Sequence, residues 1–147
     1  MRRLARVFSL SSPERRLAMS ALALLAGIRL RLALLTFARV RGTVDRWASR
    51  RDPGTPEGVS PRAVRLAVAR ASRVLPGSSC LALALSAEVL LRRHGLPARV
   101  TIGVAPGERP GPSMLNAHAW TVSAGTVVAG AHANLESYRT LAVFESH

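Results

Sequence analysis

The sequence Ser79-Cys80-Leu-Ala-Leu-Ala-Leu-Ser-Ala-Glu-Val-Leu-Leu-Arg-Arg-His94-Gly95 predicts the helix around which the fold is built. Ser78 or Ser79 supplies the N-cap, and basic side chains occupy the last turn, where the helix dipole favours positive charge. Gly95 and the following Pro97 end the helix. The lone cysteine, Cys80, therefore lies in the first turn beside free backbone N–H groups, which favour a thiolate.

Helices are also predicted before this segment. The pair Ser12-Pro13 marks an N-terminus, and a Leu- and Ala-rich helix is expected from Pro13 to about Val40, with a kink near Gly27. Residues 43–49 are expected to form a short further helical segment. A loop over residues 50–58 then leads to a helix over residues 61–75, capped by Ser60.

After Gly95 the pattern changes to short alternating segments typical of strands. Residues 98–104, 116–122, 126–128 and 138–144 are predicted strands, with a turn at residues 123–125 and a loop over residues 105–113. Helices followed by antiparallel strands predict an α+β fold. We divide the chain into an N-terminal helical segment, residues 1–59, and a core, residues 60–147, which we expect to fold as one unit.

Composition limits the function classes. The formal net charge is +13 over 147 residues, and all basic residues other than histidine are arginine. This charge suits an acidic partner or reflects a compositional bias. Nucleic acid is not expected, because the six aromatic residues do not interleave with the basic runs. One cysteine excludes an internal disulfide, and the four histidines lack metal-ligand spacing, so we predict no metal and no cofactor.

The apolar N-terminal half raises the question of a membrane segment. Arg29 and Arg31 divide its two apolar pieces, residues 17–28 and 32–40, and each piece is shorter than the roughly 20 residues that span a bilayer. A cleavable signal is not expected either, because Pro13-Glu14-Arg15-Arg16 interrupts the basic start. We predict a cytoplasmic protein with a buried helix here. Peripheral membrane contact through the arginine-bearing face is the less favoured alternative.

The candidate base is His118, in the apolar stretch Leu115-Asn-Ala-His118-Ala-Trp-Thr-Val122. Strict alternation puts His118 and Trp120 on one face of the strand, which we expect to pack on the Cys80 helix. A cysteine and a histidine are the minimum for a nucleophilic thiol. The alternative is a buried structural cysteine and a hydrogen-bonded sheet histidine. His94, His132 and His147 are weaker candidates.

These motifs carry a resemblance. Cys80-Leu-Ala-x-Ala-Leu, the segment His94-Gly-Leu-Pro-Ala-Arg99 and the block Ala117-His118-Ala-Trp120 are similar to those of the transglutaminase-like leader peptidases of lasso-peptide biosynthesis. The similarity covers roughly residues 60–144. It implies a papain-like or transglutaminase-like α+β core, with Cys80 as nucleophile and His118 as base.

The same resemblance implies the substrate and the partners. The substrate would be a ribosomally made precursor peptide, cleaved between leader and core. In the split form of the family, a small winged-helix protein binds the leader, and a separate cyclase closes the core peptide. The chain resembles the stand-alone peptidase of that split form. A non-catalytic scaffold that binds the leader and its recognition protein is the alternative.

One departure from the family concerns the residue that orients the histidine. The family places an aspartate about a dozen residues after the histidine, where this chain has Ala129-Gly130. The replacement is predicted to be Asn134, His132, Glu136 or a backbone carbonyl. Asn134 is preferred, because a neutral amide accepts from imidazole without being titrated itself and serves this role in papain-like enzymes.

Overall fold

The computed structural model describes residues 10–50, 58–106, 115–132 and 134–146. Its helices come first and its strands second, so the predicted α+β class is confirmed. The helices are α1 (Ser12–Leu34), α2 (Phe37–Ala48), α3 (Pro61–Val74) and α4 (Cys80–Arg93). The strands are β1 (Ala98–Pro106), β2 (Leu115–Ser123), β3 (Thr126–Ala129) and β4 (Arg139–Ser146), and a 3₁₀ turn covers Leu135–Ser137.

The first described helix begins one residue earlier than predicted, with Ser11 rather than Ser12 as its N-cap. The backbone N–H and the hydroxyl of Ser11 both donate to Glu14 Oε2, at 3.1 and 2.9 Å. These two hydrogen bonds, the one from the hydroxyl foremost, hold the pKa of Glu14 below its usual value. A carboxylate in the first turn also complements the positive end of the helix dipole.

The expectation of one helix to Val40 with a kink at Gly27 is wrong. The chain leaves the helix at Leu35 and Thr36, which are both extended, and α2 then includes residues 43–48 of the segment predicted separately at residues 43–49. At Gly27 the helix continues, and the missing side chain makes room for Trp47, because a Cβ there would lie 2.8 Å from the indole ring. Arg31 covers the same indole, with its guanidinium carbon 5.0 Å from the ring centroid.

One apolar core joins the helices to the sheet. It includes side chains from all four helices and from β1 and β3, with Leu25, Val44, Val64, Leu85 and Val128 among its members. The core therefore crosses the predicted boundary between residues 59 and 60, and that boundary stays a prediction. The predicted loops over residues 50–58 and 105–113 lie almost wholly outside the described residues.

Among the described residues, α1 is the one helix whose length and composition would allow it to cross a membrane. A third of its most apolar window is buried inside the fold. A core helix of a soluble protein passes the same test, so localisation stays a prediction.

The four strands form one antiparallel sheet in the order β3-β2-β1-β4. A two-residue turn joins β2 to β3, and both of its residues have positive φ, 47° at Ala124 and 78° at Gly125. This turn is where the sequence predicted one, and the left-handed pair matches the twist of a tight hairpin. In the register of β1 on β2, Gly103 lies opposite His118.

A buried carboxylate ties α4 to α2. Glu88, 1% exposed, accepts from Arg41 at 2.6 and 3.1 Å and from Arg92 at 3.2 Å. Arg92 also contacts Asp45 at 2.7 Å, and Arg41 lies over the Phe144 ring at 4.3 Å. Two guanidinium groups thus offset the cost of burying one carboxylate.

Glu88→Gln is therefore expected to destabilise the fold, because it removes the negative charge that Arg41 and Arg92 share. The loss should be about 3–5 kcal/mol, the range for breaking a buried ion pair from one side. The measurement is the free energy of unfolding in urea.

Glu145→Gln is the matched control, since the Arg99–Glu145 pair is 59% and 47% exposed. Exposed pairs contribute about 0–1 kcal/mol. Equal losses of unfolding free energy for Glu88→Gln and Glu145→Gln would contradict a stabilising role for the buried ion pairs of Glu88.

Candidate active site

Cys80 is the first residue of α4 and is partly buried. Ser79 caps the helix, because its hydroxyl accepts from the Ala82 N–H at 3.1 Å, and the intrahelical ladder begins with Leu83 N–H to Ser79 O. The Cys80 N–H therefore precedes the ladder and points out of the helix start. The Cys80 side chain packs against the cluster of Ala84, Val100 and Ala119.

A buried hydrogen bond fixes how α4 lies on the sheet. Thr121, fully buried in β2, donates its hydroxyl to Ala84 O at 2.8 Å. Ala119, two residues earlier on the same strand face, is 2% exposed and packs on Ala84. The expectation that the face of His118 and Trp120 packs on α4 is therefore wrong. The small side chains of the alternate face allow the helix to approach closely.

His118 is held by a backbone carbonyl. Its Nε2 lies 2.7 Å from Gly130 O, in the segment that follows β3. A carbonyl oxygen can only accept, so Nε2 carries a proton in this hydrogen bond, and Nδ1 is the ring nitrogen left for another partner. The side chain that sequence motifs place in the base role thus has a defined orientation.

Three rings surround the imidazole of His118. Trp120 stacks beside it with centroids 6.0 Å apart, and the rings of His132 and Tyr138 lie at 5.6 and 5.5 Å. Gly103, opposite on β1, leaves room for them, because a Cβ there would lie 3.0 Å from Tyr138 Cβ. Trp120 also contacts Tyr138, with ring centroids 6.0 Å apart, so these side chains form one aromatic group.

No side chain fits at Gly130, the residue whose carbonyl binds His118. Gly130 has φ of 77°, and a Cβ at this position would lie 2.3 Å from Ala119 O and 2.9 Å from Trp120 Cα. Both contacts are to the backbone of β2, which cannot move without disturbing the sheet. The backbone of residue 130 therefore comes as close to the His118 strand as glycine alone permits.

None of the three predicted orienting side chains forms a described hydrogen bond with His118. Asn134 is the N-cap of the 3₁₀ turn, and its backbone N–H donates to His132 Nδ1 at 3.3 Å. Within the described residues, no hydrogen bond joins the side chains of Asn134 or Glu136 to His118. His132 reaches His118 through ring contact. The catalytic role of Asn134 stays a prediction, and the bond that the structure has is the one from His118 to the Gly130 carbonyl.

Cys80 and His118, the predicted nucleophile and base, are not bonded to one another. Cys80 packs on Ala119, the neighbour of His118 in β2, so it lies against the strand face opposite to the one that carries the His118 side chain. Between the described atoms of Cys80 and His118 there is no hydrogen bond. Catalytic hydrogen bonds are often long before substrate binds.

The residues 10–50, 58–106, 115–132 and 134–146 contain no group of three histidine, cysteine or acidic side chains that could hold a metal ion.

Sequence reasoning allowed for a backbone carbonyl but did not assign it to Gly130, and it missed the contact of Tyr138. A glycine two residues after the predicted strand 126–128 was the available signal for a close backbone approach. Tyr138 gave no signal, because its contact with His118 depends on where β4 begins relative to β2.

The family model of the transglutaminase-like superfamily matches residues 22–143. The match covers more than half of the chain and begins within α1, earlier than the resemblance drawn from the motifs. No curated protein and no solved structure matches the chain. With its α+β fold and a cysteine at the start of the central helix, the chain belongs to the transglutaminase-like superfamily.

Proposed function

We propose that the protein is a cysteine peptidase that removes the leader from a lasso-peptide precursor, with Cys80 as nucleophile and His118 as base. The superfamily includes cysteine proteases and transglutaminases, which supports thiol chemistry. The observation that carries the proposal is the hydrogen bond from His118 Nε2 to Gly130 O, 2.7 Å long. It gives the histidine the tautomer that a general base needs.

The proposed chemistry begins with proton transfer from the Cys80 thiol to His118 Nδ1, for which the two side chains, on opposite faces of β2 in this structure, must come together. The thiolate attacks the scissile carbonyl, and the Cys80 N–H at the start of α4 donates to the oxyanion. His118 then gives its proton to the leaving amine, and an acyl-enzyme remains. Water attacks the thioester with His118 as base, releasing the carboxylate and restoring the thiol.

The Gly130 carbonyl takes the place of the family's aspartate in this proposal. It accepts the Nε2 proton and keeps the ring from rotating, and its dipole partly stabilises the imidazolium. A neutral carbonyl stabilises a positive ring less than a carboxylate does. We therefore expect a slower enzyme than one with a full triad.

The lasso-peptide substrate and its partners rest on the motif resemblance. The precursor leader is the proposed substrate, a winged-helix protein is proposed to present it, and the lasso cyclase is proposed to act on the freed core. The net charge of +13 suits an acidic peptide or partner.

The second candidate function is a non-catalytic scaffold that binds the leader and its recognition protein. The packing of Cys80 against the face of β2 opposite to the His118 side chain, with no described hydrogen bond between the two residues, favours it. Alkylation by iodoacetamide separates the two functions, because an activated thiol reacts fast near neutral pH and a structural thiol does not.

Cys80→Ala is expected to abolish precursor cleavage, since no other thiol is present in the chain. Mass spectrometry of the precursor measures the cleaved fraction, and urea unfolding checks the fold. Ser86→Ala is the control on the same helix, because Ser86 is buried but bonds only to Ala82 O. Cleavage by Cys80→Ala above a few per cent of the wild-type rate would remove the peptidase proposal.

Gly130→Ala is expected to lower kcat/KM by roughly 10²–10⁴, the range seen when a histidine loses its orienting partner. The added Cβ would push the carbonyl away from His118. Gly125→Ala is the matched control, because Gly125 has a similar φ of 78° but has nothing within 4 Å of the added Cβ. It should lose stability and retain activity.

The same assay decides whether the Gly130 carbonyl or the predicted Asn134 side-chain amide orients His118. Asn134→Ala should leave kcat/KM near the wild-type value if Gly130 O is the orienting group. A large loss for Asn134→Ala with little loss for Gly130→Ala would instead assign the orienting role to Asn134.

Addition of the leader-recognition protein is expected to raise the cleavage rate, because presentation of the leader raises its effective concentration at the site. The comparison is single-turnover cleavage with and without that protein. Equal rates would argue against a split system while leaving the cysteine chemistry intact.

A further inference from the structure

An apolar row runs along the outer face of α1. Its members are all exposed, and we name them the α1 stripe: Met19, Ala23, Ala26, Leu30, Ala33 and Leu34. Met19, Leu30 and Leu34 are 54%, 61% and 72% exposed. The opposite face of α1 supplies Leu17, Leu24, Leu25 and Ile28 to the core. The stripe is thus a second apolar face on a helix already packed.

The spacing of the stripe is that of a helix-pairing seam. From Met19 to Ala33 the steps alternate between four and three residues, as at the a and d positions of heptads. Large and small side chains are mixed along it. The alanines leave shallow gaps between the larger side chains. A facing helix can insert its side chains into these gaps.

The charge around the stripe is positive. Arg15 and Arg16 are exposed and lie four and three residues before Met19, so they share its face at the N-terminal end. No acidic residue lies between Glu14 and Asp45. A partner must therefore place apolar side chains along the stripe and acidic ones near its N-terminal end.

We propose that the α1 stripe docks an amphipathic helix of a different protein, apolar along its centre and acidic at its end. This binding is independent of the proposed peptidase chemistry. A second copy of the chain is disfavoured, because each copy carries +13 and would bring its own Arg15 and Arg16. A membrane surface is disfavoured, because the three alanines bury little area in lipid, whereas they allow a helix to approach closely.

The test uses the full chain and a fluorescein-labelled synthetic peptide of about 20 residues, long enough to form a helix. The peptide has leucine at heptad spacing and glutamate in its terminal turns. Fluorescence anisotropy should show binding that Leu30→Glu weakens about tenfold or more, because the variant places a charge in the apolar seam. Leu141→Glu on β4 is the matched control, since Leu141 is 64% exposed and lies on another surface. It should bind as the wild type does.

A peptide with lysine in place of glutamate should bind about tenfold less tightly or worse. Absence of binding, an equal loss for Leu30→Glu and Leu141→Glu, or equal affinity of the two peptides would overturn the proposal. If the peptide does not bind, two further results would assign the stripe to another occupant and overturn the proposal. One is sedimentation of the protein with phosphatidylserine vesicles that Leu30→Glu abolishes. The other is a dimer, detected by light scattering, that Leu30→Glu abolishes. Cys80→Ala should bind the acidic peptide normally, which separates this outcome from failure of the peptidase proposal.

Discussion

The hydrogen bond from Thr121 to Ala84 O fixes the helix that carries the cysteine against the strand that carries the histidine. A buried hydroxyl without a partner costs about 1–3 kcal/mol, so α4 cannot slide along β2 without losing it. The small Ala119 on the same strand face lets the start of α4 approach. The position of Cys80 relative to His118 follows from this one contact and the alanines around it.

The second constraint acts on the histidine. The hairpin turn at Ala124 and Gly125 returns the chain along β2, so that residue 130 meets the backbone of Ala119 and Trp120. Only glycine fits there, and its carbonyl reaches His118. A histidine bonded to a carbonyl rather than to a carboxylate can in this way keep its orientation through backbone geometry, at the cost of weaker stabilisation of the imidazolium.

The sequence predicted the parts of this arrangement that depend on local chemistry. Proline, glycine and serine placed the starts of α3 and α4 and the β2–β3 turn, because capping and left-handed turns are properties of a few residues. The break between α1 and α2 was missed, since residues 35 and 36 contain neither proline nor glycine. The face of β2 that meets α4 was also missed. Alternation gives two faces, and only the packing of alanines against Ala84 decides between them.

The N-terminal helices belong to the same core as the site. Leu25 and Ile28 of α1 pack in one cluster with Leu85 of α4, and Glu88 of α4 is neutralised by Arg41 of α2. The family match accordingly begins inside α1. The inner face of α1 already packs in the core. The fold therefore does not require the outer face of α1 to be apolar. Folding therefore does not explain the exposed row of apolar side chains at heptad spacing beside the arginines. Contact with the proposed partner helix does explain it.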